Sequence, residues 1–494
     1  MLTARTPTAI LAALVVAGAA LSADRQAAPP AQQSQTKGVV MKGRAPVSTT
    51  LLKIKLPRPT EADLPNGLHL MVLEDHRLPQ VTFQLIIRGA GGYYDPADAP
   101  GLASMTATMM REGTATKNTQ QISEALETMA ASVGVGAGMS SAIASLTGSS
   151  LTENFDATFG LAADILLTPS FPQEEFDRYK TRTRSNLTQQ RTSPGFLANE
   201  MFAHVVYGSH PASRTSLTVD ALDKTTRDAL VAFHHAHYVP DYAVLAIAGD
   251  ISMADARKLV DAKLGAWKKA GVPEPTVVDP PALGPARVSF IARPNSVQSS
   301  LWIGTQAISR TSPDYDIVSV MNAVIGGGPT GRLFTDLREE KGYTYGAYSN
   351  VSALQYRGAW IASMDVRTEV TEPALRDLIA EVARMRDEAV PDKEFQDKKR
   401  GVVAAFALQL ESPSAVLGNY ITTRLYHLPA DYWDRLPERI DAVTQAQVQA
   451  AAKKYLDPSR LQIVVVGEPS KIADSLKQFG TVETYDTNGK RIGQ

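Results

Sequence analysis

The chain has 494 residues, 44% hydrophobic and 20% charged, a length too great for one hydrophobic core and suited to two to four globular domains. Its 50 Lys and Arg nearly cancel its 51 Asp and Glu, which leaves no excess field to draw it to nucleic acid or to an anionic membrane. With no cysteine it has no disulfide framework, no lipid-anchoring thiol and no thiol nucleophile, so core packing alone must hold it together.

Residues 1–23 carry Arg5, an apolar run over 9–21, and then Ser22 and Ala23. That is the pattern of a secretory signal peptide, and the run is shorter than the ~20 residues a membrane-spanning helix needs. Export to a bacterial periplasm or to the medium is expected. Residues 24–50, rich in Ala, Pro and Gln without periodic apolar positions, read as a flexible leader.

A first domain is expected over 51–270. Leu68, Leu70 and Val72, a turn over 75–79, and then Val81, Phe83, Leu85 and Ile87 read as a strand pair. A helix over about 102–111 follows, then a second beginning near Asn118 and Thr119, residues suited to capping. The Gly, Ser and Ala-rich stretch 133–149 reads as two thin strands, 154–237 as mainly helical, and 243–248 as a closing strand.

The chain repeats itself. Tyr238-Val239-Pro240, a strand and Gly249 recur as Tyr455 to Pro458, a strand and Gly467; Pro240 and Pro458 are 218 apart, as are Gly249 and Gly467, Asp223 and Asp441, Thr226 and Thr444, and Gln80 and Gln298. Phe176 and Phe395, and Ser193-Pro194 and Ser412-Pro413, are 219 apart, which one inserted residue explains. Register held over such a length marks a duplication. A Pro/Gly-rich linker, 271–285, joins the copies as a hinge or spacer; the second domain is expected over 286–480, followed by a tail, 481–494. The fold class is α+β, each copy an antiparallel sheet packed with helices.

In the second copy, residues 325–349 read I-G-G-G-P-T-G-R-L-F-T-D-L-R-E-E-K-G-Y-T-Y-G-A-Y-S. Gly326, Gly327 and Gly328 free the chain from side-chain sterics and are expected to contact substrate. Helix formers with Leu333 and Leu337 four apart follow, Gly342 ends the helix, and Tyr343, Tyr345 and Ala347 alternate as in a strand. Arg338 therefore sits at a helix end and Tyr345 at a strand start. Read locally, Arg338 could merely pair with Glu339 or Glu340, and Tyr345 could merely fill a sheet.

This stretch resembles the C-terminal signature of the pitrilysin, insulinase and mitochondrial processing peptidase family, a glycine-rich turn before R-L-F-x-x-L-R-E-x-x-G-x-x-Y. The resemblance implies paired domains forming half of a clamshell. It also implies that Arg338 and Tyr345 act as the catalytic Arg/Tyr pair that reaches a substrate carbonyl beside zinc.

Active members carry H-x-x-E-H on a first-copy helix, with a glutamate some seventy to eighty residues later. Here Asp95-Pro96, Pro100 to Ala103 and Glu112-Gly113-Thr114 resemble the flanks of that helix, but Ser104 and Thr108 stand at the histidine positions and Ala107 at the glutamate position. The stretch 181–187 contains no carboxylate, and Glu174 and Glu175 suit the positive end of a helix start. Hydroxyls are poor zinc ligands and alanine can move no proton. No metal is expected in this chain. His234, His235 and His237 lack a converging ligand set, and His210-Pro211 resembles the family's structural turn.

Heterodimeric branches of the family divide the labour, one chain holding zinc and the other lending the Arg and Tyr. The resemblance thus implies a non-catalytic, substrate-binding subunit of a zinc endopeptidase. Its partners would be a peptide substrate and a subunit of the same family with intact H-x-x-E-H, in which the zinc resides. A peptide-binding scaffold without enzymatic role and a peptidase with an unrecognised metal site are the alternatives.

Overall fold

The computed structural model describes residues 50–492. The signal-peptide reading, and all but the last residue of the leader, lie outside them. Twelve strands form two six-stranded sheets among the described residues. In the first, β1 (Thr60–Asp63), β2 (His69–Glu74), β3 (Gln80–Arg88), β4 (Ser132–Ala137), β5 (Ile143–Leu151) and β6 (Val244–Gly249) lie in the order β1-β2-β6-β3-β5-β4. In the second, β7 (Arg287–Ala292), β8 (Gln298–Gln306), β9 (Thr344–Val351), β10 (Ala359–Arg367), β11 (Gln462–Gly467) and β12 (Val482–Tyr485) lie in the order β12-β7-β11-β8-β10-β9. β2 and β7, β3 and β8, and β6 and β11 each begin 218 residues apart, the offset of the sequence repeat.

Two expectations about the sheets are corrected. β2 and β3 are not paired with each other, because β6 lies between them, parallel to β2 and antiparallel to β3; β11 does the same between β7 and β8. The sheets are therefore mixed, not antiparallel. The cause is burial: every residue of β6 and of β11 is buried, and strands apolar on both faces belong at a sheet's centre. The tail boundary also fails, since β12 falls within 481–494 and adds a parallel edge strand to β7. Four residues are too few for a period-2 signal to stand out.

The domains interlock through exchanged helices. Pro194–Tyr207, capped by Ser193, belongs to the first copy but packs Leu197, Phe202 and Val206 with Ile291, Val464 and Val466 of the second sheet. Its counterpart, Pro413–Leu425, packs Leu417, Tyr420 and Ile421 in a cluster with Met71, Val244 and Ala246 of the first. The contact is close: a Cβ on Gly304 would come within 2.5 Å of the Phe202 ring. Residues preceding β1 also cross over, with Leu56 buried, its amide donating to Asp434, and Arg58 paired to the same carboxylate at 2.6 Å.

Residues 271–285 contain no helix or strand, yet they are a fastened strap rather than a loose spacer. Glu274 pairs with Arg88, the Val278 amide donates to Tyr93 Oη at 2.8 Å, His210 bonds the Val278 carbonyl at 2.9 Å, and Gln306 donates to the Pro281 carbonyl at 2.7 Å. Limited proteolysis is expected to nick the strap at its exposed positions. Because the exchanged helices remain in place, the fragments should co-elute on native gel filtration and part only in denaturant. Separation under native conditions would show that the helix exchange does not hold the domains.

Candidate functional site

The site is built around the glycine turn. Helix Tyr315–Ile325 ends at Gly326, where a Cβ would lie 2.6 Å from both the amide nitrogen and Oγ of Ser349. One on Gly327 would lie 2.9 Å from the Ala323 Cα, and one on Gly331 2.9 Å from the Gly326 Cα. None of these glycines has a positive φ, so close backbone approach, not left-handed backbone, requires them. Gly328 differs, having open space around it, and is the one of the three candidate substrate contacts with room for a ligand. The turn is tied to β9: the Ser349 amide donates to the Gly326 carbonyl at 2.8 Å, and Ser349 Oγ donates to Asn322 Oδ1 at 2.8 Å.

The expected helix forms in two parts, a single α turn, Arg332–Phe334, and a π-helical turn, Thr335–Glu340, in which the Lys341 amide reaches back five residues to the Asp336 carbonyl at 3.0 Å. Both ends are pinned. Arg332 makes a two-pronged pair with Glu394, both bonds 2.8 Å, and Lys341 bridges Asp336 at 3.0 Å and Asp377 at 2.8 Å. Leu333 and Leu337 are fully buried, and Gly342 ends the turn at φ 63°. Single π turns recur at functional sites because they re-aim a side chain.

Here the side chain is Arg338. Its guanidinium carbon lies 4.7 Å from the Phe334 ring centre and 5.1 Å from that of Tyr345, so the structure brings the expected pair together. Arg338 does contact Glu339, at 3.3 Å, but Arg338 is only half-buried and Glu339 exposed, and such a pair adds little. Tyr345 fills no sheet core: it is 89% exposed, and its hydroxyl has no hydrogen-bond partner among the described residues. Phe334, buried and 5.6 Å from the Tyr348 ring, is a neighbour of Arg338 that sequence reasoning missed. Its spacing of four from Arg338 was the available signal.

Ser104, Ala107 and Thr108 lie in the other domain, on helix Leu102–Met110. Buried Asp95 caps the helix start, accepting from the amides of Gly101 at 2.6 Å and Ala103 at 2.8 Å, while burial pushes its carboxyl up to about 6. Ala107 is buried, and the Thr108 hydroxyl is spent on the Ser104 carbonyl at 2.9 Å. Near Thr108, on helix Gln173–Gln190, is Tyr179, buried, with its phenol held above its usual range by that burial. Glu174 and Glu175 are paired with Arg178 on the first turns. Ser104, Ala107 and Thr108 offer zinc neither an imidazole nor a carboxylate. No cluster of three metal-binding side chains occurs among the described residues.

Two of the clustered histidines, His234 and His237, serve packing. His234 bonds the Leu166 carbonyl at 2.8 Å and His237 the Gly89 carbonyl at 2.7 Å, and burial holds both below the usual imidazole range.

Residues 70–218 match the family described as insulinase (peptidase family M16), and residues 224–402 the one described as the peptidase M16 inactive domain. The chain is 27% identical over 325 residues to an uncharacterized zinc protease of Streptomyces coelicolor, covering 63% of this chain and 70% of that one. It is 22% identical over 402 residues to the protein named non-peptidase homolog YmxG of Helicobacter pylori, covering 81% and 91%. A peptidase M16 inactive domain from Pseudomonas fluorescens superposes with a TM-score of 0.77 at 29% identity, over 83% of this chain and 98% of that one. A Helicobacter pylori protease superposes with a TM-score of 0.77 at 16% identity, over 84% and 100%.

Proposed function

This chain belongs to the insulinase-type M16 peptidase family, and from that premise we propose that it is a non-catalytic, substrate-binding subunit that lends Arg338 and Tyr345 to a zinc site held by a partner of the same family. The observation that carries the reading is a contrast between two sites. The zinc-helix positions hold Ser104, Ala107 and Thr108, none of them an imidazole or a carboxylate, and the Thr108 hydroxyl is already bonded to the Ser104 carbonyl. Tyr345, in contrast, stands 89% exposed beside Arg338 with its hydroxyl unspent. A phenol kept free at a surface is arranged for something outside the chain.

The partner's zinc would activate the water and polarise the scissile carbonyl. Arg338 would bring a permanent cation with a fork of donors, and Tyr345 a neutral hydroxyl donor. Both would act on the substrate carbonyl oxygen as it gains negative charge, which stabilises the transition state more than the ground state. Open space at Gly328 leaves room there for peptide. The amino-terminal pattern would place this complex in the periplasm or outside the cell.

A peptide-binding scaffold is the competing reading, favoured by the name of the Helicobacter pylori relative. Arg338 beside a free Tyr345 supports the subunit reading, since a scaffold needs neither group at that spacing.

Purified alone, the chain is expected to retain no zinc after dialysis and to cleave no peptide. Grafting Ser104→His, Ala107→Glu and Thr108→His should restore little of either, because the remaining carboxylate ligand is missing and Tyr179 lies near Thr108. Stoichiometric zinc by elemental analysis, with turnover by the unmodified monomer, would overturn the proposal.

A further inference from the structure

At the seam of the two domains, an open cavity of about 490 Å³ is lined by Arg88, Tyr242, Lys269, Glu274, Arg424 and His427, with His69 and Asp241 at its wall. Its carboxylates are already engaged. Asp241 accepts from the amides of Ala270 and Gly271, each at 2.9 Å, and Glu274 is paired with Arg88 and lies 3.6 Å from His427 Nε2. Two cations are not comparably matched. Lys269 has no ion pair or hydrogen bond among the described residues, and its stem lies over Gly67, where a Cβ would sit 2.5 Å from its Cε. Arg424 comes no nearer a carboxylate than 3.6 Å, at Asp63, whose same oxygen already bonds His69 Nδ1 at 2.7 Å.

The duplication shows which of these groups the fold itself requires. At the offsets of 218 and 219, Arg88, Arg424 and His427 correspond to Gln306, Val205 and Gly208 of the other seam. All three counterparts are neutral. There the backbone takes a positive φ with glycine, Gly208 at φ 58° and ψ −122°, whereas here His427 holds φ 51° at a conformational cost glycine avoids. Tyr242, on the facing wall, also holds a positive φ, 60°. Side chains kept in costly backbone conformations around one cavity point to a use for that cavity.

We propose that this seam cavity binds a small oxyanion, a carboxylate or a phosphate, held by Lys269, Arg424 and His427 with Tyr242 as its wall. Charge-assisted bonds to a carboxylate or phosphate are what an ammonium and a guanidinium without strong counter-ions are suited to make. The inference is independent of any zinc-bearing partner, since each residue it uses belongs to this chain and lies apart from Arg338 and Tyr345.

Calorimetric titration of the full chain tests it with two probes, inorganic phosphate and a short peptide with a free C-terminal carboxylate, the amidated peptide serving as control. Saturable binding of one equivalent is expected. Preference for phosphate would identify a phosphoryl ligand, and binding of the free peptide but not its amide would identify a chain terminus. Lys269→Gln and Arg424→Gln should each weaken binding at least tenfold. His427→Gly should weaken it without lowering the thermal unfolding midpoint, and Arg460→Gln, in the corresponding cavity of the other seam, should leave it unchanged. Absence of saturable binding by both probes, or undiminished binding in the Lys269→Gln/Arg424→Gln double variant, would overturn the proposal.

Discussion

In a complex reconstituted with a zinc-bearing partner, Tyr345→Phe is expected to lower kcat by about 10²–10³-fold, the usual effect of deleting one oxyanion donor. The substitution removes only a hydroxyl that bonds nothing within the described chain and lies on an 89% exposed ring, so stability and assembly should not change. Arg338→Ala should be at least as damaging, and it should also raise KM, because the guanidinium attracts the carbonyl before reaction. The zinc content of the complex should be the same in both variants. Phe334→Ala is expected to reduce kcat less than Arg338→Ala, since the cation remains but loses the ring 4.7 Å away that helps hold it. Wild-type rates in both Tyr345→Phe and Arg338→Ala complexes would make the pair structural and the scaffold reading the better one.

The largest effect on stability is expected at Phe202, far from that site. Phe202→Ala should destabilise the chain by about 3–5 kcal/mol, the range for emptying a buried aromatic position. The ring lies within 6.1 Å of Trp302 and against Gly304, so its loss opens a void that glycine on the facing strand cannot fill. Since the residue belongs to one copy and its socket to the other, tryptophan fluorescence and far-UV dichroism should both shift to lower denaturant. Val297→Ala, at a side chain 81% exposed, should change stability by no more than about 0.5 kcal/mol. An unchanged midpoint for Phe202→Ala would mean that the exchanged helices do not couple the domains.

What could be read from the sequence follows from the range of each signal. The repeat was legible because a fixed offset accumulates over the whole chain, and β2, β3 and β6 reappear at that offset as β7, β8 and β11. The place of β6 between β2 and β3 was not legible, because strand periodicity gives the faces of a strand and says nothing of its neighbours. The π turn was hidden for a similar reason: Leu333 and Leu337 are four apart in either kind of helix. Residues 271–285 read as a spacer because their prolines and glycines are visible, whereas the side chains that fasten them, Tyr93, His210 and Gln306 among others, are distant in sequence. Arg338 and Tyr345 could be named from a family motif. That Arg338 lies on a π turn between the Phe334 and Tyr345 rings required the fold.

The central claim is that this chain completes a metal site it does not hold. The most direct measurement is the peptide-cleavage rate of a fixed amount of zinc-bearing partner as this chain is titrated in. The claim predicts a partner nearly inactive alone, with activity that rises and saturates at one equivalent of the wild-type chain, while the zinc per partner stays constant. A partner fully active alone, whose rate the added chain leaves unchanged, would contradict it.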